Sequence, residues 1–175
     1  MTPPRILLLY ATAGAGHRRA AEAVADQLRS RGASVTLLDT VRYAHPIFRA
    51  AYIGGGLKLI IRLPRVYDLA YRLSDRSSID RVLRGPRQRA EQLSARSLLH
   101  AIQNVKPDAL ICTHFLPAEL CAGWRRSHQL SAPLVTVITD FEPHRMWLHL
   151  GTNGYCVATE EAADRLMLDG IDRSM

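Results

Sequence analysis

Apolar residues gather into five short runs that alternate with longer amphipathic stretches along the 175-residue chain. The runs predict β-strands at Arg5–Tyr10, Ser34–Asp39, Ala109–Thr113, Leu134–Thr139 and Gly154–Ala158. Those that end before Thr12, His114 and Asp140 are almost continuously apolar. Continuous runs are typical of strands covered on both faces, as in a parallel sheet.

The stretches between the runs have the periodicity of helices with one buried face. They predict helices at His17–Arg31, Ser94–Val105 and Pro117–His128, and a fourth that starts after Thr159 and closes at Gly170. Because strand and helix alternate, the pattern predicts an α/β fold with a doubly wound parallel sheet.

Residues 40–89 interrupt this alternation and carry the charge of the chain. The net charge is +7, yet the window from Arg42 to Arg89 holds eleven Lys or Arg against three Asp, which makes +8 for that window alone. We therefore predict a basic helical insertion after the second strand. A concentrated patch of this kind favours an anionic lipid surface or nucleic acid as partner, although it is also compatible with a solvated face.

Chain length, cysteine spacing and the lengths of the apolar runs limit the classes of protein to which the chain can belong. At this length the chain makes one domain. The three cysteines form no CxxC pair, which argues against a zinc site and a disulfide framework and favours a cytoplasmic location. We expect no membrane-spanning helix, and the apolar stretch near the N-terminus is too short for a signal peptide.

Residues that could bind a ligand or catalyse a reaction lie directly after the predicted strands. Open α/β sheets bind ligands at these carboxyl ends of the strands. Three segments lie there: 14–17 with His17, 113–117 with His114, and 139–145 with Asp140 and His144. A glycine turn before a helix exposes backbone N–H groups that suit an anion. The helix N-terminus disfavours imidazolium, so we expect His17 to be neutral near pH 7 and able to accept a proton. The alternative is that His17 merely caps the helix.

Other glycine motifs fit poorly. A dinucleotide fingerprint would need a third glycine where Arg19 stands, although Asp39 occupies the position of a ribose-binding acid. No Gly-Lys-Ser/Thr sequence follows Gly16, and neither a nucleophile elbow nor HExxH occurs. A different nucleotide-binding α/β enzyme that uses Asp39 stays open as an alternative.

Four ordered motifs resemble the N-terminal domain of the monogalactosyldiacylglycerol synthase and processive diacylglycerol glucosyltransferase family. They are GAGHRRAA at 14–21, THFLP at 113–117, TDF at 139–141 followed by Pro143, His144 and Trp147, and YCVATEEA at 155–162. The resemblance implies a GT-B glycosyltransferase with a cleft between two Rossmann-like halves. Residues 1–175 would be the half that binds the lipid acceptor and the membrane, and a C-terminal domain outside this chain would bind most of the UDP-sugar. Ala15 departs from the glycine of many relatives.

The resemblance implies inverting transfer of a hexose to diacylglycerol, with UDP-sugar as substrate and neither cofactor nor metal. On this reading His17 is the base, alone or in a relay with Asp140 that holds the ring tautomer. Gly14, Ala15 and Gly16 would face the donor phosphate. The expected acceptor-positioning residues are Thr113, His114, Phe115, His144 and Trp147.

The basic insertion would then hold the domain on anionic lipid at the inner face of the membrane. The expected membrane patch consists of Arg62, Arg65, Arg72, Arg76, Arg81, Arg84, Arg87 and Arg89. The competing interpretation is a basic binding module without catalysis, for lipid or nucleic acid. Nucleic acid is the less favoured partner because no RNA-binding signature accompanies the patch.

Overall fold

A computed structural model describes residues 2–12, 15–44, 46–49 and 95–175. Five parallel strands form one sheet in the order β2-β1-β3-β4-β5. They are β1 Arg5–Tyr10, β2 Ser34–Asp39, β3 Ala109–Cys112, β4 Leu134–Val137 and β5 Gly154–Cys156. All five predicted strands are confirmed. The last three end one or two residues earlier than predicted. Thr113 and Thr139, which follow β3 and β4, bond to His17 instead of extending these strands.

Helices connect the strands. They are α1 Gly16–Ser30, α2 Thr40–Tyr43, α3 Pro46–Arg49, α4 Arg96–Val105, α5 Phe115–Arg126 and α6 Glu160–Leu168, with a 3₁₀ turn at Arg145–Trp147. α5 begins two residues before the predicted start because the His114 ring accepts a hydrogen bond from the Leu116 N–H and caps it. Thr159 caps α6 as predicted, through a bond from the Ala162 N–H.

Both faces of the sheet are covered, which accounts for the continuous apolar runs. Leu7 and Leu9 on β1 belong to the cluster formed with α4 and α5, whereas Leu8 points to the opposite face. There it packs with Ala21 and Ala25, the two fully buried residues of α1. The predicted α/β class with a doubly wound parallel sheet, a Rossmann-like arrangement, is therefore confirmed.

The strand order places a switch point in the middle of the sheet. From β1 the chain moves outward to β2, and it later returns to the other side of β1 as β3. Connections leave β1 and β3 in opposite directions at such a point, which opens a crevice at their carboxyl ends. α1 follows β1 and α5 follows β3, so both helices begin at this crevice.

The predicted basic insertion and its eight arginines fall almost entirely on residues 50–94, outside the described part of the chain, and so does Ser94 at the predicted start of α4. Only α2 and α3 represent the insertion in the structure. In the ranges that are described, no helix has the length and apolar character needed to cross a membrane.

Candidate functional site

Two threonines from distant parts of the chain hold His17. The ring nitrogen Nδ1 lies 3.0 Å from the carbonyl oxygen of Thr113 and 2.8 Å from the hydroxyl oxygen of Thr139. The Thr113 hydroxyl donates to the backbone carbonyl of His17 at 2.9 Å. β3 pairs with β1 and β4 pairs with β3, and their parallel carboxyl ends bring both threonines to the start of α1. The imidazole is thus fixed at the switch point of the sheet.

The Thr113 carbonyl determines which nitrogen of His17 carries the proton. A carbonyl oxygen only accepts hydrogen bonds, so Nδ1 must be the donor in this contact. In the neutral ring the proton is therefore on Nδ1, and the lone pair is on Nε2. The ring can accept a proton at Nε2 without breaking the contacts that orient it.

His114 lies against His17 but has a different character. The two ring centroids are 4.4 Å apart with an edge-on geometry, and the ring centroid of Phe115 lies 4.3 Å from that of His114. His114 is 2% exposed. Burial, and secondarily the charge of His17, lowers the pKa of His114 from 6.5 to about 3. His114 therefore stays neutral at physiological pH, capping α5 and supporting the ring of His17.

Asp140 has a different partner from the one expected. We expected its carboxylate to hold the tautomer of His17, but its Oδ2 accepts a bond from the indole Nε1–H of Trp147 at 2.7 Å. Within the described ranges, the hydrogen-bond partners of His17 Nδ1 are the two threonine oxygens. Thr113 and Thr139 thus make the contacts at Nδ1 that we expected of the Asp140 carboxylate. The 3₁₀ turn at Arg145–Trp147 lies in the same loop after β4 and brings the indole of Trp147 to Asp140.

That 3₁₀ turn packs Trp147 beneath the site. Trp147 is buried, and its ring centroid lies 6.2 Å from that of His17 and 6.3 Å from that of His114. His144 caps the turn by accepting from the Met146 N–H at 3.0 Å. Arg145 within the turn pairs at 2.6 Å with Asp169, at the end of α6. The turn is thus anchored at its beginning, by the His144 cap and by the Arg145–Asp169 pair.

A cleft of about 610 Å³ opens beside His17. Its polar lining comes from His17, Thr139 and Asp140, and most of the rest is apolar, including Ile138 and Val157. Gly16 also lines it, and a methyl group added to Gly16 would meet no heavy atom of the described residues within 4 Å. The first turn of α1 contains no acidic residue, and Ala15 offers no side-chain cap. As far as the described residues go, the N–H groups at the start of α1 have no side-chain cap and face the cleft, an arrangement suited to an anionic or polar ligand.

Asp39 serves the fold rather than an open site. Its carboxylate accepts from the Thr12 N–H and hydroxyl at 3.2 and 2.7 Å and from the Val41 N–H at 3.2 Å. It is 8% exposed. A carboxylate with these bonds already caps α2 and ties β2 to the loop after β1. This occupancy weighs against the alternative in which Asp39 binds a ribose.

The expected residues converge in part. Contacts connect six of them into one cluster, of which His17 and Asp140 line the cleft: His17, Thr113, His114, Phe115, Asp140 and Trp147. His144 caps the 3₁₀ turn that carries Trp147. Thr113, His114, His144 and Trp147 are all buried, at 4% exposure or less, so in this structure they support the site rather than face a ligand. Ala15 and Gly16 are exposed at the start of α1, and Gly14 lies outside the described residues.

Sequence reasoning did not identify Thr139 as a site residue. The available signal was its position, because a hydroxyl at the end of an apolar strand next to Asp140 lies at the same sheet edge as His17. The Thr113 carbonyl could not be identified in this way, since every residue carries one.

Comparison with known proteins extends these observations. The sequence profile described as monogalactosyldiacylglycerol (MGDG) synthase matches residues 17–175. The uncharacterized glycosyltransferase YkoN of Bacillus subtilis is 24% identical over 97% of this chain and 44% of its own length. Processive diacylglycerol beta-glucosyltransferases of Bacillus thuringiensis and Bacillus cereus are 26% and 27% identical over 95% of this chain and 41% of their own length. No solved structure gave a significant match.

The chain thus spans about two fifths of the length of these curated relatives. The profile match includes His17, Thr113, Thr139 and Asp140, the residues whose side chains or backbone form the site. Since that match runs from His17 to the last residue, the chain belongs to the monogalactosyldiacylglycerol synthase family.

Proposed function

We propose that this chain is the acceptor-binding half of an inverting glycosyltransferase that moves a hexose from a UDP-sugar to diacylglycerol. Family membership and the names of the processive diacylglycerol beta-glucosyltransferases support the reaction class. The observation that carries the proposal is the imidazole of His17, held through Nδ1 beside the cleft so that Nε2 is the basic nitrogen.

In the proposed reaction the 3-hydroxyl oxygen of diacylglycerol attacks the anomeric carbon of the sugar. His17 Nε2 takes the hydroxyl proton while the new bond to the anomeric carbon forms. The bond between that carbon and the diphosphate oxygen breaks on the opposite side, and UDP leaves with the electron pair. Attack opposite the leaving group inverts the anomeric configuration.

The start of α1 would stabilise the leaving group. Gly14, Ala15 and Gly16 precede or begin this 15-residue helix, whose N-terminus carries a partial positive charge. Exposed N–H groups there would offset charge that develops on the diphosphate. This arrangement requires neither a cofactor nor a metal from the chain, and the UDP-sugar enters as substrate.

The apolar walls of the cleft suit the glycerol and acyl portions of the acceptor. Ile138 and Val157 contribute to these walls, and the exposed side chain of Phe141 lies directly after Asp140. We assign Asp140 a supporting role: it fixes Trp147, which in turn packs against the two histidines.

Access to a membrane lipid requires a surface that meets the bilayer. We assign this role to the arginines between 62 and 89, as a peripheral contact with the inner face of the membrane. Sedimentation with vesicles provides the test: binding should increase steeply with the fraction of anionic lipid and decrease with salt. Equal binding to neutral and anionic vesicles would contradict this role, and stronger salt-sensitive binding to oligonucleotides would favour the nucleic-acid alternative.

The donor side is assigned to a further domain, because the relatives extend well beyond the region matched here. The test of function therefore uses the complete polypeptide that carries these 175 residues. It is incubated with UDP-glucose or UDP-galactose and diacylglycerol in mixed micelles. We expect a glycosyl-diacylglycerol with inverted anomeric configuration, identified by mass spectrometry and NMR. Failure to glycosylate diacylglycerol with either donor, by a protein shown to be folded, would contradict the proposal.

A further inference from the structure

We propose that Thr139 is the positioning residue for the base His17, and that it stabilises the ring when Nε2 becomes protonated. The inference rests on the proposed function. Its basis is the hydroxyl oxygen of Thr139, 2.8 Å from Nδ1 of a ring that is 122 residues away in sequence. Both residues line the same cleft.

Two oxygen atoms share the single proton of Nδ1. The Thr113 carbonyl lies at 3.0 Å and accepts, so the Thr139 hydroxyl, at 2.8 Å, contributes its lone pair to the same N–H group in a three-centre bond. When Nε2 takes up a proton, the positive charge spreads to Nδ1–H and strengthens both contacts. Uncharged oxygens therefore perform the orienting role that a carboxylate has in a Ser-His-Asp triad.

The side chain of Thr139 is suited to this role. β-Branching restricts its χ1 angle, so the hydroxyl is held in place with little loss of conformational entropy. The other side of His17 is held independently, because the Thr113 hydroxyl donates to the His17 backbone carbonyl at 2.9 Å. Backbone and ring are thus fixed by different bonds, and removal of the Thr139 hydroxyl changes only the ring environment.

Thr136 on β4 supplies a matched control. It lies three residues before Thr139 and is fully buried, and its hydroxyl has no hydrogen-bond partner in the described part of the structure. Thr136→Val and Thr139→Val make the same chemical change on the same segment. Only the second removes an acceptor from His17.

The kinetic test uses the complete polypeptide with UDP-hexose and diacylglycerol. Loss of a hydrogen bond to a charged group predicts that Thr139→Val lowers kcat by about 10- to 100-fold, with KM for both substrates unchanged. Thr139→Ser keeps the hydroxyl and should retain kcat within about threefold of the unmodified protein. Thr136→Val should leave kcat unchanged. A Thr139→Val protein with full kcat, or a Thr139→Ser protein as impaired as Thr139→Val, would overturn the proposal.

A second measurement does not depend on turnover. ¹⁵N NMR of the labelled imidazoles distinguishes the two neutral tautomers, and His17→Gln identifies the signals of His17. We expect the Nδ1–H tautomer in the unmodified protein and in Thr136→Val, and a larger fraction of the Nε2–H tautomer in Thr139→Val. An Nε2–H tautomer in the unmodified protein would overturn the inference, even if Thr139→Val does not fold. If no protein glycosylates diacylglycerol but the tautomers follow this pattern, the proposed reaction fails while the role of Thr139 in orienting His17 stands.

Discussion

The buried ring of His114 makes the stability of this fold depend on pH. Burial, with a smaller contribution from His17, lowers the pKa of His114 from its ordinary 6.5 to about 3. Between these values the unfolded chain binds a proton that the folded chain excludes. The contribution of His114 to stability is therefore complete above about pH 6.5 and is lost progressively as the pH falls toward 3.

The substitution His114→Asn isolates this effect. Asparagine is a favoured N-cap and can accept the Leu116 N–H bond that the ring now accepts, but it does not titrate. A difference of one bound proton corresponds to about 1.4 kcal/mol per pH unit. Between about pH 5.5 and 4.5, the free energy of unfolding of the unmodified protein should thus fall by about 1.4 kcal/mol more than that of the variant. The variant also loses the ring contacts with His17 and Phe115, so it should be less stable at neutral pH.

Urea unfolding followed by circular dichroism at several pH values and constant ionic strength measures this slope. His100→Asn is the control, because His100 is exposed on α4, and its pH dependence should match that of the unmodified protein. The reasoning would be refuted if His114→Asn showed the same decline of stability with falling pH as the unmodified protein.

Three further predictions concern the cleft and its supports. Gly16→Ala should keep the free energy of unfolding or raise it by up to about 1 kcal/mol, since the methyl group meets no atom of the described residues within 4 Å. It should nevertheless lower the transfer rate by about tenfold or more, because that methyl group occupies the space proposed for the diphosphate. Full activity of the variant would refute the assignment of this space to phosphate. Maleimide should label Cys156 first in the folded protein, because Cys156 is exposed in the cleft whereas burial raises the pKa of the Cys112 thiol. Mass spectrometry should show that substrate slows the labelling of Cys156, and equal labelling of all three thiols would contradict this prediction. Asp169→Asn should lower the free energy of unfolding by about 1–3 kcal/mol in urea titrations, because the buried carboxylate pairs with Arg145 at 2.6 Å, and a loss below about 0.5 kcal/mol would argue against this anchor.

The fold was predictable because its signals are local and repeated. Leu7, Leu8 and Leu9 are buried on alternating faces of β1, which requires a sheet covered on both faces. An uninterrupted run of apolar residues indicates such a strand directly. The positions of the helix ends were predicted less accurately. The start of α5 depends on the ring of His114, and a histidine cap has no strong sequence pattern.

The site was predictable to the level of which segments meet, but not which atoms bond. Parallel strands bring their carboxyl ends to one edge, so His17 and Asp140 were expected to lie near each other. The path of the loop after β4 decides whether Asp140 reaches His17 or Trp147, and that path depends on anchors such as the Arg145–Asp169 pair. The contact with the Thr113 carbonyl is a backbone interaction, so the identity of the residue does not encode it.

Replacement of His17 tests the central claim most directly. The complete polypeptide and its His17→Ala variant are compared for transfer of labelled hexose from a UDP-sugar to diacylglycerol, with urea unfolding used to confirm that both proteins are folded. If Nε2 is the base, the variant should lose about 10²- to 10⁴-fold in rate. A folded variant that loses less than about tenfold would contradict the account.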